Sequence, residues 1–315
     1  MNPRFNLIWQ FPAPLFWEQD WINELLSGLA IDEHLDCGPR FMDGGRYSVV
    51  LPNAIVVETA VGKLKGQSPE ERALQRRRRR DYYDRFAAAG HKVALIHVSD
   101  EQGLDAEDLD YDRFAFVLRN YLYPQFAGRQ RIHVVPLGYK RGFARPGTPP
   151  PAERRRFPWS FMGTVWPGGN RAAMIEAMRA VPGGGLHVTQ GFNAGTLPTE
   201  RYRAVLEQTL CSPCPRGDRT FDTFRLYESF EAGCIPIVDA PDYFRATLGE
   251  APLIAVRDWP EAARVVVALA ADPAAAEERR RRCRDWWLAH KAALIADIAG
   301  MAQALAGQPT PMRMP

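Results

Sequence analysis

The sequence has few cysteines and no long apolar run. The cysteines number five and are scattered as Cys37, Cys211, Cys214, Cys234 and Cys283. An odd, scattered set argues against a disulfide framework and favours a reducing compartment. No window approaches the roughly 18 consecutive apolar residues of a membrane-spanning helix, and residues 1–14 lack the apolar core of a signal peptide. We therefore expect a cytoplasmic protein.

The sequence also lacks an excess of charge of one sign. It holds 40 basic against 37 acidic residues, a net charge of +3, whereas nucleic-acid-binding domains are usually clearly basic. We therefore expect no nucleic-acid partner. The basic residues are clustered in Arg76–Arg80, Arg154–Arg156 and Arg279–Arg282. The first run is interpreted as a solvated helix face, with peripheral contact to the anionic inner face of a membrane as the alternative.

Patterns typical of metal sites are weak. The six histidines show no metal-ligand spacing. Asp108-Leu-Asp110 and Asp110-Tyr-Asp112 match a D-x-D metal motif formally, but they precede a predicted strand, which favours a solvated loop. Cys211 and Cys214 lack a second ligand pair and are interpreted as a buried strand end. We therefore predict no metal and no cofactor.

The order of strand and helix patterns predicts an α/β chain of two domains. A length of 315 residues suits two domains of about 150 residues each. The segment Lys92–Val98 is continuously apolar, as in a strand covered on both faces. The segment Lys140–Arg156, rich in Pro, Gly and basic residues, predicts a linker. We expect two Rossmann-like lobes with parallel sheets facing across a cleft, at 1–145 and 152–275, followed by C-terminal helices and a tail at 276–315.

The segment Cys214–Ile237 carries the strongest chemical pattern. A predicted strand ends near Ser212, and the following loop and helix start hold Arg216, Arg219 and Arg225. A helix N-terminus is electropositive and is a ready phosphate site, and arginine suits bidentate phosphate contacts. Glu228, one helical turn further on, suits ribose hydroxyls. In the alternative interpretation, Arg225 and Glu228 form an i,i+3 surface pair and the loop arginines are solvated.

The same segment resembles the donor-site signature of the exostosin-like glycosyltransferases, which are of the GT-B type. That signature joins a PRG-type loop, a Ser/Thr-x-Arg-Leu-x-Glu helix and a Gly-Cys-x-Pro strand. The matching positions here are Arg216, Gly217, Thr223, Arg225, Leu226, Glu228, Gly233, Ile235 and Pro236. Weaker likenesses lie at 97–101, 135–143 and 159–164 with Arg171. The resemblance implies a nucleotide sugar held by the second lobe, an acceptor held by the first, and inverting chemistry without a metal.

Two further sets of residues lie where strands are predicted to end. Asp100 and Glu101 follow the strand Lys92–Val98, where a general base that faces the cleft is expected. A capping loop is the alternative, and the sequence does not choose between the two carboxylates. Gly163, Thr164 and Arg171 follow the first strand of the second lobe, where the backbone could approach a phosphate. A plain strand-to-helix turn is the alternative there.

Together with these patterns, the resemblance implies a glycosyltransferase that moves a sugar, expected to be UDP-linked, to a glycan or polyol-type acceptor in polysaccharide biosynthesis. The enzyme would be a hexosyl- or pentosyltransferase. Its donor would be bound by Gly163, Thr164, Arg171, Arg216, Gly217, Thr223, Arg225 and Glu228, and Asp100 or Glu101 would act as the base. Two other classes remain open: a non-catalytic nucleotide- or glycan-binding relative, and a polyanion-binding protein that uses its arginine clusters.

Overall fold

The chain divides into two compact units. The computed structural model describes residues 3–10, 17–36, 47–60, 68–101, 103, 105, 109–189, 191, 195–217 and 219–307. Unit 1 comprises residues 1–135 and 293–315, and unit 2 comprises residues 136–292. The first boundary lies ten residues before the predicted end of the first lobe at 145, and the second divides the last helix between the units.

Unit 1 is built on a parallel sheet of six strands. Its sheet has the order β2-β1-β3-β4-β5-β6, and every pairing is parallel. The helix α2 follows β3, as expected where a crossover joins parallel strands. The elements are β1 (Arg4–Trp9), α1 (Gln19–Leu25), β2 (Ala30–Leu35), β3 (Ala54–Thr59), α2 (Pro69–Ala88), β4 (Val93–Val98), β5 (Val117–Arg119) and β6 (Ile132–Val134).

Unit 2 is built on a second parallel sheet, of five strands. Its sheet has the order β11-β10-β9-β7-β8. The elements are β7 (Phe157–Thr164), α3 (Asn170–Met178), β8 (Gly185–Thr189), α4 (Thr199–Glu207), β9 (Thr209–Pro213), α5 (Phe224–Glu231), β10 (Ile235–Val238), α6 (Pro241–Leu248), β11 (Ile254–Ala255), α7 (Trp259–Ala271) and α8 (Pro273–Gly307). The predicted α/β class with two parallel sheets is confirmed.

Local sequence signals explain where several elements begin and end. Ser68 accepts a hydrogen bond from the N–H of Glu71, and the Glu71 carboxylate accepts one from the N–H of Ser68, which closes a capping box at the start of α2. Gly90 ends that helix with φ +70°, a conformation that costs glycine little. All six residues of β4 are buried, in agreement with the continuous apolar pattern.

The segment Lys140–Arg156, which the sequence predicts to be a linker, lies within unit 2, and part of it is packed there. Arg155 is buried, and its guanidinium donates to the carbonyls of Thr209 at 2.6 Å and Ala232 at 2.9 Å. Gly233, at φ +68°, allows this approach, since a Cβ there would lie 2.8 Å from Pro149. A Pro-rich segment needs few backbone hydrogen-bond partners, because proline has no N–H group. The contacts of Arg155 hold this segment against the rest of unit 2.

Each arginine cluster places one member in the interior rather than on a uniformly solvated face. The buried members are Arg79, Arg155 and Arg280. Arg79 pairs with Asp105 at 2.8 Å, and Arg280 pairs with Glu277 at 2.7 Å. Buried charges of this kind occur where a partner compensates for lost hydration. The clusters therefore present fewer charges to solvent than the sequence suggests.

Among the described residues, Cys211, Cys214, Cys234 and Cys283 are buried free thiols, as predicted for Cys211 and Cys214. Cys37 lies outside the described residues. In the part of the chain that the structure describes, no helix is both long and apolar enough to cross a bilayer.

Candidate functional site

The candidate donor site lies at the topological switch point of unit 2. In the sheet, β8 lies on one side of β7 and β9 lies on the other. The direction in which successive strands are added to the sheet therefore reverses, and the switch point lies between β7 and β9. Ligands of open parallel sheets bind outside the carboxyl ends of strands at such a point. Gly163 and Thr164 end β7, and the arginine-bearing loop that starts at Cys214 follows β9.

Arg225 lies in the first turn of α5, but its side chain is 9% exposed rather than solvated. Its Nη2 donates to the carbonyl of Met162, and its guanidinium carbon lies 4.2 Å from the centroid of the Phe161 ring. A Cβ at Gly163 would lie 2.8 Å from Nη2, so this position needs glycine. The Nε atom is buried and has no hydrogen-bond partner among the described residues.

The neighbouring cap position repeats this pattern. Thr223 is the N-cap of α5, yet its side chain makes no capping hydrogen bond. Its Oγ1 is buried and has no partner within the described part of the chain. Buried polar groups in proteins nearly always have hydrogen-bond partners, so two without one at the same helix start are unusual. The N-terminus of α5 therefore presents two unused polar atoms together with the positive end of the helix dipole.

Glu228 is only 4% exposed, so it does not form a surface pair with Arg225. The backbone N–H of Lys140 donates to its Oε1 at 3.3 Å. Burial raises the pKa of Glu228, while nearby Lys140 and a hydrogen bond from Tyr202 act in the opposite direction. Because both Arg225 and Glu228 are buried, the alternative of an exposed i,i+3 pair was wrong.

Arg171 connects two of the predicted donor-site segments. Its Nη1 donates to the carbonyl of Thr164 at 2.9 Å, and its Nε donates to the carbonyl of Arg216 at 3.3 Å. The hydroxyl of Thr164 is itself bonded to that of Thr189 at 2.9 Å. Arg171 therefore holds the turns after β7 and β9 together at the switch point.

The loop after β9 keeps two arginines at the surface. Arg216 and Arg219 are exposed, and Gly217 donates its N–H to the carbonyl of Thr220 at 2.8 Å. Of the predicted donor residues, Gly163, Thr164, Arg171, Arg216 and Arg225 are thus linked by direct contacts. Glu228 lies one turn further along α5.

Asp222 is a buried acid that the sequence interpretation missed. Burial raises its pKa to about 7, although hydrogen bonds from Tyr227 and from the N–H groups of Thr223 and Leu137 act to lower it. Its Oδ1 has no partner among the described residues. The signal in the sequence was an acidic residue directly before a helix start, a position that commonly interacts with helix N–H groups.

We expect Asp222 to make the stability of the protein depend on pH. A raised pKa means that the folded state holds a proton between about pH 4 and pH 7 that the unfolded chain releases, so stability falls as pH rises through that window. The contribution of Asp222 to the free energy of unfolding should fall by up to about 1.4 kcal/mol per pH unit. Urea unfolding at pH 4.5 to 8 should show a fall in stability in the wild type and a smaller fall in Asp222→Asn, which keeps the contribution of Glu228. The control is Asp242→Asn, whose carboxylate is 95% exposed, and equal slopes in all three proteins would contradict the expectation.

In unit 1, Asp100 and Glu101 lie at the carboxyl edge of the sheet, directly after β4. Asp100 is 2% exposed, and its Oδ2 lies 3.4 Å from Nη2 of Arg119. Glu101 is half-buried, and its backbone carbonyl accepts a hydrogen bond from the hydroxyl of Tyr123. The sequence placed both residues at this edge, but it did not reveal that Asp100 is ion-paired with a buried arginine.

The sequence interpretation also missed a group of buried polar residues beneath this edge. Its members are Glu58, Arg79, His97, Asp105, Tyr111 and Arg119, all with 1% exposure or less. Three of them, Glu58, His97 and Arg119, interrupt otherwise apolar strand patterns. Such residues are rarely buried without partners, and that interruption was the signal in the sequence.

The D-x-D aspartates make ordinary local contacts. Asp110 caps a short 3-10 helix at Tyr111–Arg113, and Asp112 pairs with Arg129 at 2.6 Å. Asp108 lies outside the described residues. Among those that are described, no group of three or more His, Cys, Asp or Glu side chains has the arrangement of a metal site.

Comparisons with known proteins give matches in structure only. No protein-family profile matches the chain, and no curated protein is similar to it in sequence. A variant of the β-glucosyltransferase of phage T4, solved with UDP-glucose, has a TM-score of 0.55 at 10% identity, covering 97% of this chain and 100% of that one. The same enzyme solved with UDP and Mn²⁺ has a TM-score of 0.52 at 11% identity, covering 95% of this chain and 99% of that one. An α1,3-fucosyltransferase has a TM-score of 0.50 at 9% identity, covering 96% of this chain and 91% of that one.

These likenesses extend over almost the whole of each chain, and the similar proteins are glycosyltransferases of the GT-B fold. These matches do not confirm the exostosin-like family, and identities near 10% show the fold rather than the activity. The two parallel sheets, of six and five strands, give this chain the fold of the GT-B glycosyltransferases.

Proposed function

We propose that this chain is a glycosyltransferase that transfers a sugar from a UDP-linked nucleotide sugar to a hydroxyl of a glycan or polyol-type acceptor. The reaction would invert the anomeric carbon and need no metal. The exostosin-like resemblance of the segment 214–237 and the GT-B fold both support this assignment. The proposal assigns nucleotide binding to unit 2 and the base to unit 1.

The observation that carries the proposal is the N-terminus of α5. Two polar atoms there, Oγ1 of Thr223 and Nε of Arg225, are buried and lack partners among the described residues. Both can donate hydrogen bonds, and both lie at the positive end of a helix. A diphosphate is the acceptor that satisfies such donors, and it would occupy the switch point where nucleotides bind in related sheets.

The surrounding residues fit distinct parts of a nucleotide sugar. Arg216 and Arg219 are exposed in the loop beside the helix start and can neutralise phosphate charge. The same groups would stabilise the leaving nucleoside diphosphate as negative charge develops on it. Glu228 lies one turn along α5, and its carboxylate suits the two hydroxyls of ribose. Arg171 keeps the turns around the phosphates in place through the carbonyls of Thr164 and Arg216.

The base of the proposed reaction is one of the two carboxylates after β4. An inverting transfer needs a group that takes the proton of the acceptor hydroxyl as the hydroxyl attacks the anomeric carbon. Asp100 and Glu101 are the acidic residues of the turn at this strand end. Strand ends of this kind are the usual location of catalytic side chains in α/β sheets.

A polyanion-binding function is less well supported. Arg79, Arg155 and Arg280 are buried, and they satisfy internal carboxylates and carbonyls. The clusters therefore offer discontinuous positive charge rather than a stripe along one face. Binding to nucleic acid or another polyanion would weaken steeply with added salt, which gives a simple way to recognise it.

A thermal-shift screen of nucleotides tests the proposal. UDP or a UDP-sugar at about 100 times its Kd should stabilise the protein by about 2.7 kcal/mol, because a ligand that binds only the folded state adds its binding free energy. The shift should persist in EDTA, and so should sugar transfer from the donor identified. No shift with any nucleoside diphosphate at millimolar concentration would overturn the proposal. Transfer that EDTA abolishes and Mn²⁺ restores would overturn its metal-independent form.

A further inference from the structure

Three polar residues form a row across the sheet of unit 1. The strand register pairs Glu58 of β3 with His97 of β4, and His97 with Arg119 of β5. Registered residues of neighbouring strands lie side by side on one face of a sheet. All three are 1% exposed or less. The row lies one residue before the carboxyl ends of β3 and β4 and at the end of β5, directly beneath the turn that holds Asp100 and Glu101.

Arg119 is the member of the row that reaches this turn. Its Nη2 lies 3.4 Å from Oδ2 of Asp100, its Nη1 donates to the hydroxyl of Tyr111 at 3.1 Å, and its Nε donates to the carbonyl of Asn120 at 3.1 Å. The guanidinium also lies 4.2 Å from the centroid of the Phe126 ring. A guanidinium that is bonded at all three nitrogens and stacked on an aromatic ring has little freedom to move.

A chain of contacts fixes Arg119 from the interior. The hydroxyl of Tyr111 lies 2.6 Å from Nδ1 of His97, and Nε2 of His97 lies 3.4 Å from Oδ2 of Asp105. Because an arginine can only donate, the Tyr111 oxygen accepts from Arg119, and the Tyr111 hydroxyl proton can point to Nδ1 of His97. Arg79 completes the chain, with Nη1 2.8 Å from Asp105 and 3.5 Å from Glu58.

The turn itself is held in an uncommon conformation. Ser99 has φ +64°, and Tyr121, two residues after the end of the neighbouring strand β5, has φ +63°. Left-handed backbone at residues other than glycine costs free energy and persists where surrounding contacts impose it. Two such contacts are the Ser99 hydroxyl, which donates to Glu18 at 2.7 Å, and the Gly103 N–H, which donates to the carbonyl of Asp100 at 3.1 Å.

We infer that Arg119 is a positioning residue of the transfer reaction, which holds the turn Ser99–Glu101 so that its base meets the acceptor hydroxyl. This inference rests on the proposed function. Arg119 reaches the turn through Asp100 and holds in place whichever of the two carboxylates serves as the base, without taking the proton itself. A displacement of the turn by about 1 Å would separate the base from the hydroxyl and lower the rate without touching the nucleotide.

The test compares steady-state kinetics of Arg119→Met and Arg119→Lys with those of the wild type. Enzyme concentrations are set by calorimetric titration with UDP, so that turnover is counted per folded, nucleotide-binding molecule. We expect Arg119→Met to lower kcat by about 10²-fold with the donor KM within about twofold of the wild type. Arg119→Lys keeps the charge opposite Asp100 but not the planar fork, and it should recover part of this loss.

Arg113→Met is the matched control. Arg113 also pairs with an aspartate, Asp84, and lies over a tyrosine ring, that of Tyr83. Among the described residues, Arg113 makes no contact with the turn. The kcat of Arg113→Met should therefore match that of the wild type. Where an Arg119 variant does not fold, Tyr111→Phe replaces it, because this change removes only the hydroxyl behind Arg119 and should lower kcat by about 3–10-fold.

The outcomes separate this inference from the proposed function. Arg119 variants, or Tyr111→Phe in their place, that keep the wild-type kcat per UDP-binding molecule would overturn the positioning role and leave the proposed function intact. An equal loss of kcat in Arg113→Met would also overturn it, because the effect would then not depend on the turn. A wild-type chain that neither binds UDP nor transfers sugar would overturn the proposed function, and the positioning role with it.

Discussion

One of the two variants Asp100→Asn and Glu101→Gln should lower kcat by about 10²–10⁴-fold, the contribution of a positioned general base. Nucleotide affinity should remain nearly unchanged in both variants, because neither residue belongs to unit 2. An amide cannot accept the hydroxyl proton, although it has nearly the size of the acid. Steady-state kinetics, combined with calorimetric titration of UDP, separates the loss of turnover from any loss of binding.

The two variants should differ in stability as well. Asp100→Asn leaves the buried guanidinium of Arg119 opposite a neutral amide, so its urea midpoint should fall. Glu101→Gln changes a half-buried residue and should unfold as the wild type does. Asp112→Asn is the control, since its carboxylate is 75% exposed and pairs with Arg129. If both amide variants keep more than about a third of the wild-type kcat, the base lies elsewhere in the chain.

Replacing Arg225 should weaken nucleotide-diphosphate binding by about 1.5–3 kcal/mol, the scale of a charge-assisted hydrogen bond, or about 10–150-fold in Kd. The position of Arg225 in the first helical turn suggests that the empty protein would lose little stability without it. The structure corrects this expectation, because Arg225 packs on Phe161 and bonds the carbonyl of Met162. Arg225→Lys is therefore the better variant, since it keeps the charge and part of the packing.

Three comparisons make this prediction specific. Glu228→Gln should weaken the binding of UDP through the ribose while leaving inorganic pyrophosphate binding almost unchanged, whereas Arg225→Lys should weaken both. Arg245→Ala removes an arginine of unit 2 whose side chain is 69% exposed and pairs with Asp242, and it should bind both ligands as the wild type does. Calorimetric titration that finds wild-type affinity for both ligands in Arg225→Lys would show that α5 is not the donor site.

The fold followed from local patterns wherever these were strong. The apolar strand β4 lies at Val93–Val98, within the predicted Lys92–Val98, and β9 ends at Pro213, beside the strand end predicted near Ser212. The sequence interpretation missed α1 and β2, within residues 1–90, and also α6. The strand β2 has no fully buried residue and carries acidic residues at Asp32 and Glu33, so its pattern does not resemble a buried strand. It is an edge strand, and only pairing with β1 makes it part of the sheet.

The candidate site was predicted by residue type but not by environment. The sequence placed Arg216, Arg225 and Glu228 on one loop and one helix, and that grouping agrees with the structure. The sequence interpretation predicted that Arg225 and Glu228 either face a ligand or are solvated, whereas both are buried. Burial depends on residues distant in sequence, such as Met162 for Arg225 and Lys140 for Glu228, and a local pattern does not contain those contacts.

The sequence by itself determined what periodicity and composition encode: an α/β chain with two parallel sheets, an arginine-rich loop before a helix, and two acids at the end of a buried strand. The tertiary structure alone decided which charges are paired in the interior. Arg119 meets Asp100, and Arg79 meets Asp105 from 26 residues away. Strand register and helix packing bring these groups together, because a charge enters a protein interior only where the fold supplies its partner.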